Sequence, residues 1–361
     1  MKILTKYMLK QFWYFFLLFF ISFLVIFVVV DIFDKLDDLL QYEISFWEIV
    51  LYYINFVPPV IVQIIPIAVL LATISLFRKL SVNNEYVAMV GGGFSLKNML
   101  IPLVISALII GAVSFVIHNF IAPRAYFNQE RIKAEKFVKA DRPSRKIIKD
   151  INLIGKEDQL IYIKAYYIDK KIAKGITIIQ NSADKLHEKR FMAASAEWNG
   201  RHWIFKEVNV FDRRTGYISE KTVFYPKIQI DIPIKPDDLL FSKNNPEIMS
   251  LSQLSSLSKR IVDKKSSFSR KLKVEYHYRF AFSFVSLVVL FVSVPFGLMQ
   301  KRGPKFLSVG IGVVISLFYY IVLYILISFG KGKGFSPFLS AWGANFIFSA
   351  FAYVMFYITP K

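Results

Sequence analysis

Side chains able to do acid–base, nucleophilic or metal chemistry are sparse in this 361-residue chain, and their spacing argues against catalysis. Cysteine is absent, so disulfides, thiolate metal sites and a cysteine nucleophile are excluded, and the redox compartment is left open. The four histidines, His118, His187, His202 and His277, include no pair at helical ligand spacing, so no metal site is expected. The glycine-rich run GKGKGFS at 330–336 departs from the G-x-x-x-x-G-K-S/T spacing of a phosphate loop and has no strand before it. Glu275, His277 and Arg279 stand together beside an apolar run, where they read as interfacial capping and snorkelling groups. Glu85 differs in kind. It is the sole acid in Arg78–Lys97, a polar island between two long apolar runs with Lys and Arg at both ends.

Those two runs belong to a larger pattern. The chain is 55% hydrophobic with a formal net charge of +20, a composition typical of membrane proteins. No charged residue occurs in Phe12–Val30, Ile49–Phe77, Met99–Ala122, Phe280–Gln300, Phe306–Gly330 or Gly334–Pro360. Each is long enough to cross a hydrocarbon core, which takes about 20 helical residues. Six spans are expected, three on either side of a long polar segment. The first is expected to be retained, because its apolar core is too long for a signal peptide and Asp31, Asp34, Asp37 and Asp38 follow it. Asn55, Pro58, Pro59, Gln63 and Pro66 predict a kinked, protein-packed second span. Lysine and arginine in short loops orient the chain. With both termini in the cytoplasm, Lys2, Lys6, Lys10, Arg78, Lys79, Lys97, Lys301, Arg302, Lys305 and Lys361 lie inside, while the short outer loops hold Lys35, Lys331 and Lys333.

Arg78–Lys97 then faces the cytoplasm. Leu80, Val82, Tyr86, Val87, Met89 and Val90 predict one short amphipathic helix over about residues 80–92, ended by Gly91, Gly92 and Gly93. Such a helix, held between two spans, is placed to push or be pushed by a soluble partner. Outside, Ala125–Val138 is charged and helical in pattern, a stalk continuing the third span. From Lys146 the periodicity becomes that of half-buried strands, in KIIKDINLI, QLIYIKAYYI, GITIIQN, KRFMAASAEW, HWIFKEVNV and TVFYPKIQIDI. Gly155, Gly175, Asn199-Gly200 and Thr215-Gly216 read as the turns between them. An antiparallel sandwich, jelly-roll or open barrel is expected. The alternation in QLIYIKAYY puts Ile161 and Ile163 on one face. A helix over Ser250–Val262 leads back to the membrane. The outer segment is basic, which favours anionic lipid head groups over nucleic acid as a partner. In the fifth span Ser316, Tyr319, Tyr320 and Tyr324 form a polar-aromatic stripe, and Trp342 opens the sixth as an interface anchor.

NNEYVAMVGGGFS in the first inner loop, EYHYRF before the fourth span and the three-plus-three layout together resemble the LptF/LptG (YjgP/YjgQ) family of lipopolysaccharide export permeases, over essentially the whole chain. That family has an acidic residue in a short inner helix, then a small-residue turn and Ser, matched by Glu85, Gly91–Gly93 and Ser95. Its E-x-H-x-R-F run is matched by Glu275, His277, Arg279 and Phe280, and its A-W pair by Ala341 and Trp342. GITIIQN and AASAEW are closer to the LptG type. The resemblance implies a polytopic α-helical protein with six transmembrane helices and an inserted periplasmic antiparallel, jelly-roll-like β domain. Residues 1–122 would hold three helices and the coupling helix, 123–278 the β domain and 279–361 the last three helices.

It also implies the transmembrane permease of an exporter without its own nucleotide site, in the bacterial inner membrane. The expected partners are an LptB-like ATPase dimer, a paralogous LptF-like permease, an LptC/LptA-like periplasmic bridge and lipopolysaccharide itself. No cofactor is expected. Glu85, Tyr86, Met89, Gly91, Gly92 and Ser95 would face the ATPase. Lys35, Ile161, Ile163, Ile178, Phe205 and Tyr320 are candidates for the lipid path. Some LptG-type members carry lysine near the outer end of the first span, where this chain has Asp31 and Asp34 with Lys35 nearby. A competing reading is a scaffold or signalling protein whose outer domain senses a ligand. An ion-coupled transporter is disfavoured, because only His118 offers a proton relay within the spans.

Overall fold

The apolar runs become helices because a chain in hydrocarbon must satisfy its backbone hydrogen bonds within each segment. The computed structural model describes residues 2–37, 44–136, 147–154, 160–168, 170–181, 187–200, 202–214, 221–230, 267–299, 305–332 and 334–358, with isolated positions between 236 and 255. Helix α1 spans Lys2–Asp34, α2 Phe46–Val82, α3 Glu85–Gly91 and α4 Leu96–Val116. A π-helical turn at Ile117–Ile121 joins α4 to α5, Ala122–Lys136, so the third span and its stalk are continuous as expected. After the strands come α6 (Ser267–Ser283), α7 (Val285–Met299), α8 (Lys305–Lys331) and α9 (Pro337–Ile358). Among the described residues, five helical stretches are long and apolar enough to cross a membrane. The sixth span is the pair α6–α7, bent by 47°. The chain is thus a polytopic membrane protein with an inserted β domain.

That bend corrects the sequence expectation. The charged run EYHYRF, placed before the fourth span, lies inside α6, and the span breaks at Phe284 within the apolar run. The break is held from two sides. Asn345 in α9 donates to the Ala281 carbonyl at 2.8 Å and accepts from the Tyr319 hydroxyl of α8 at 2.7 Å, while Trp342 closes over Phe284 at 5.6 Å. On the other side Gly111 of α4 meets the last turn of α6: an added Cβ would lie 2.5 Å from the Ser283 carbonyl oxygen. Close backbone approach at small residues is how helices associate in lipid, where apolar burial alone gives little drive.

Helix α2 is the centre of this unit. Its 37 residues would extend about 55 Å if straight, and it carries the buried run Ile64–Leu76 against α1, α7 and α8. Pro58, Pro59 and Pro66 lie inside it. Three residues before Pro66 the Gln63 carbonyl accepts from the Tyr320 hydroxyl of α8 at 2.5 Å, which ties α8 to the proline-containing stretch of α2.

The chain separates into two compact units, Met1–Phe137 with Glu247–Leu254 and Lys265–Lys361, and Val138–Pro246 with Ser255–Lys264. The second holds strands β1 (Ile147–Ile154), β2 (Leu160–Tyr167), β3 (Ile172–Asn181), β4 (His187–Trp198), β5 (Trp203–Arg214) and β6 (Lys221–Gln229). The expected antiparallel β domain is present. The six described strands neighbour one another in chain order, as a meander. Asn199-Gly200 is a turn as expected, with the His202 amide donating to Asn199 Oδ1 at 2.8 Å. Gly175 is not a turn; it lies within β3 with φ +63°. The turns read at Gly155 and Thr215-Gly216, the basic loop QKRGPK, Lys333 and most of the helix read over Ser250–Val262 lie outside the described residues.

The buried positions along these strands explain Gly175. They are Ile161, Ile163 then Tyr166 in β2; Ala173 then Ile176, Ile178 in β3; Ala193 then Ala196 in β4; Trp203, Phe205 then Val208 in β5. In each strand the inward parity flips once, at the row Lys164–Gly175–Ala194–Glu207. Gly175 and Glu207 in this row both take positive φ, +63° and +54°. Two left-handed residues on alternate strands reset the period-two alternation, so one apolar face continues across a transverse crease. Only glycine takes the first position without strain, since a Cβ there would also stand 2.9 Å from Lys164 Cβ.

Candidate functional site

Helix α3 begins after Asn84, whose φ of 58° is tolerated by its short polar side chain. It ends in a Schellman motif: Phe94 N–H donates to the Met89 carbonyl at 2.8 Å and Gly93 N–H to Val90 at 3.0 Å, with Gly93 left-handed at φ +82°. The accompanying apolar contact is supplied by Phe94 and Met89, both buried in the bundle core. Gly93 needs to be a glycine for its positive φ, whereas a Cβ on Gly91 would meet nothing. Ser95 then starts α4 as its N-cap residue.

The structure divides the sequence-predicted coupling residues into two sets. Met89 is buried in the core, whereas Tyr86 is half-buried and packs against it with part of its ring exposed. Burial also raises the Tyr86 phenol above its ordinary pKa. Glu85 turns toward its own chain. One carboxylate oxygen accepts from the Tyr7 hydroxyl of α1 at 2.9 Å, the other from the Asn83 amide at 2.8 Å. What α3 presents outward is Val87, Ala88, Val90, Gly91 and Gly92. Two further bonds tie this end of the bundle together: Lys79 to Gln11 Oε1 at 3.0 Å, and Ser81 to the Leu298 carbonyl at 3.0 Å.

At the opposite end, Glu275 and Arg279 share one face of α6 and pair at 3.2 Å, with both side chains almost fully buried. His277, between them in sequence, faces elsewhere and packs edge-on against Phe338 of α9 at 5.6 Å. The three motif residues therefore do not form one cluster, and the interfacial reading of Glu275 and Arg279 is corrected to a buried ion pair. Glu275 lines a cavity of about 190 Å³ with His118, Tyr126, Tyr278, Tyr324 and Lys331. Five segments meet there, from α2, the π-turn, α5, α6 and α8. His118 sits edge-on to Tyr278 at 5.7 Å and to Phe282 at 5.9 Å. Its Nδ1 is buried and makes no hydrogen bond among the described residues. Sequence reading missed this cavity. The one signal was a histidine in an apolar run beside the E-x-H-x-R motif.

The lipid-path candidates also separate. Ile161, Ile163, Ile178 and Phe205 come together on the buried face of the sheet, with Ile161 opposite Ile178 in the ladder. Tyr320 stacks on Tyr324 at 6.1 Å and so borders the cavity. Lys35 does neither. Its ammonium pairs with Asp31 and lies 4.8 Å from the Tyr52 ring centre and 5.5 Å from that of Phe56, an intramolecular cation–π cage.

The family model for the lipopolysaccharide export system permease LptF/LptG matches residues 6–358. The chain belongs to the LptF/LptG family. A search of curated proteins finds no match. Membership makes the chain a multi-pass inner-membrane permease of lipopolysaccharide export, a transporter subunit rather than a catalyst. In this LptF/LptG permease the resembling motifs have structural roles of their own: NNEYVAMVGGGFS builds and fastens α3, and EYHYRF supplies the buried pair of α6.

Proposed function

We propose that this permease is one transmembrane half of an ATP-driven lipopolysaccharide exporter, with both termini cytoplasmic and the sheet periplasmic. The observation that carries this reading is α3, a surface helix with an outward apolar strip and inward bonds to α1. Val87, Ala88 and Val90 would seat in a groove of an LptB-like ATPase, with Gly91 and Gly92 allowing close approach. Movement of α3 reaches α1 through the Tyr7–Glu85 bond, and α2 through the chain between Val82 and Glu85. Lipopolysaccharide leaves the outer leaflet beside the bundle and meets the apolar face carrying Ile161, Ile163, Ile178 and Phe205, then passes to an LptC/LptA-like bridge. A paralogous LptF-like permease completes the membrane assembly. The test is purification of the full chain from native membrane. Co-elution with an ATPase subunit whose hydrolysis rises on reconstitution supports the reading, and elution without any ATPase overturns it.

A further inference from the structure

The crease in the sheet has no part in the coupling just described, and it crosses every described strand. By the register of the flanking pairs, Asp150 stands opposite Lys164, Lys164 opposite Gly175, and Gly175 opposite Ala194. The row continues with Ala194 opposite Glu207 and Glu207 opposite Pro226. None of these five positions forms a ladder pair, although the pairs on both sides of each are formed. The residue count is equal on the two strands of every ladder, so this is not a bulge, in which two residues oppose one. It is a straight line of interrupted pairing, about 24 Å long at about 4.8 Å between strands. The residues on it suit bending. Gly175 takes its φ of +63° freely. Pro226, in the strand at one end of the sheet order, has no N–H to give to a ladder pair. Glu207 holds φ +54° although it carries a side chain, and such outliers cluster at switch regions.

A sheet resists folding across its strands because its ladders must deform. Here the fold line meets no ladder pair, and opening costs least where backbone pairing is sparse. On the buried face the line separates two apolar rows. Ile163, Ile176 and Val208 lie on one side, and Tyr166, Ala196 and Phe205 on the other, all buried in this structure. We infer that this line is a hinge: the two halves of the sheet turn about it, and opening parts the two rows so that a lipid acyl chain enters between them. Hinges are a few residues that absorb the change in φ and ψ. Gly175 and Glu207 are those residues in the interior strands β3 and β5. The inference rests on the lipid-export reading for its cargo and adds the motion that admits it.

The chain contains no cysteine, so introduced pairs are labelled uniquely. The test uses the full chain in nanodiscs, with spin-label distances read by pulsed electron–electron resonance. Thr222→Cys with Lys174→Cys places labels on opposite sides of the line, and Thr222→Cys with Tyr162→Cys places them on one side, all at exposed positions. Adding lipopolysaccharide should shift or broaden the crossing distance and leave the same-side distance unchanged. Glu207→Gly should broaden the crossing distance alone, since glycine frees the hinge and alters neither half. A short cleavable bismaleimide from Met192→Cys to Ser195→Cys spans the line, and should abolish lipopolysaccharide release until it is cleaved. The same bridge from Arg190→Cys to Met192→Cys lies within one half and should leave release intact. Crossing and same-side distances that stay equally narrow, with and without lipopolysaccharide and in Glu207→Gly, overturn the hinge; so does release that survives the spanning bridge. A photo-crosslinker at Ile163 judges the export reading separately. Capture of lipopolysaccharide with immobile labels removes the hinge and leaves export standing. No capture, with labels that still move across the line, removes the export function and the cargo assigned to the hinge.

Discussion

The Tyr7 hydroxyl near the start of α1 donates to the Glu85 carboxylate at the start of α3, at 2.9 Å and across 78 positions of sequence. It is a direct side-chain link from α1 to the proposed coupling helix. A hydrogen bond to a charged group is worth about 1.5–3 kcal/mol, enough to bias a small helix yet too little to decide whether the bundle folds. Tyr7→Phe should therefore insert and purify normally while lowering lipopolysaccharide released per ATP hydrolysed in reconstituted vesicles. Glu85→Ala should do the same. An unchanged ratio in both would remove Glu85 from the coupling path.

The outward strip of α3 separates docking from folding. Val87→Asp and Val90→Asp alter exposed positions, so melting temperature should hold within a few degrees while co-purified ATPase falls. Met89→Asp places a charge in the core, and loss of yield should precede any effect on docking. Quantifying ATPase per permease for the three variants checks the division.

Gly93 and Gly91 should respond differently. Gly93→Ala forces a Cβ into a left-handed position, at a cost of about 1–2 kcal/mol, and should lower thermal stability. Gly91→Ala replaces glycine at a helical position with open space around it, and should be neutral or stabilising by up to about 1 kcal/mol. Equal losses at Gly91 and Gly93 would mean that the left-handed backbone at Gly93 is not what sets its cost.

The Glu275–Arg279 pair is buried, and removing one partner strands a charge at about 3–5 kcal/mol. Glu275→Gln and Arg279→Met should each lower the melting temperature sharply. The double variant Glu275→Met with Arg279→Met should recover much of it, because both members of the pair are removed together. If the double variant is as unstable as either single one, packing rather than charge balance governs this site.

Benzophenone at Ile178 or Phe205 should capture lipopolysaccharide in the working assembly, whereas benzophenone at Tyr162 or Val223, exposed positions of the same sheet, should not. Capture at all four would deny the buried face a special role.

Local pattern alone determined much of this protein. Charge-free runs of helical length place six spans, because the hydrocarbon core tolerates few other backbones. The helix α3 and its glycine stop follow from an amphipathic segment and a glycine triplet, and the antiparallel β insert from its alternation. Resemblance to a family with distinctive loops did the rest. Tertiary structure decided which side of each element matters. Glu85 points to Tyr7 rather than outward because its partner lies 78 residues away, beyond any helical period. Gly175 looked like a turn, since glycine in a strand pattern marks a turn or a left-handed reset alike, and only the neighbouring strands distinguish them. The break at Phe284 has no proline to announce it; Asn345 and Gly111 come from other helices to accommodate it. The cavity of His118, Glu275, Tyr324 and Lys331 was invisible for the same reason: five segments far apart in the chain supply its walls, and periodicity reports only on neighbours within a few turns.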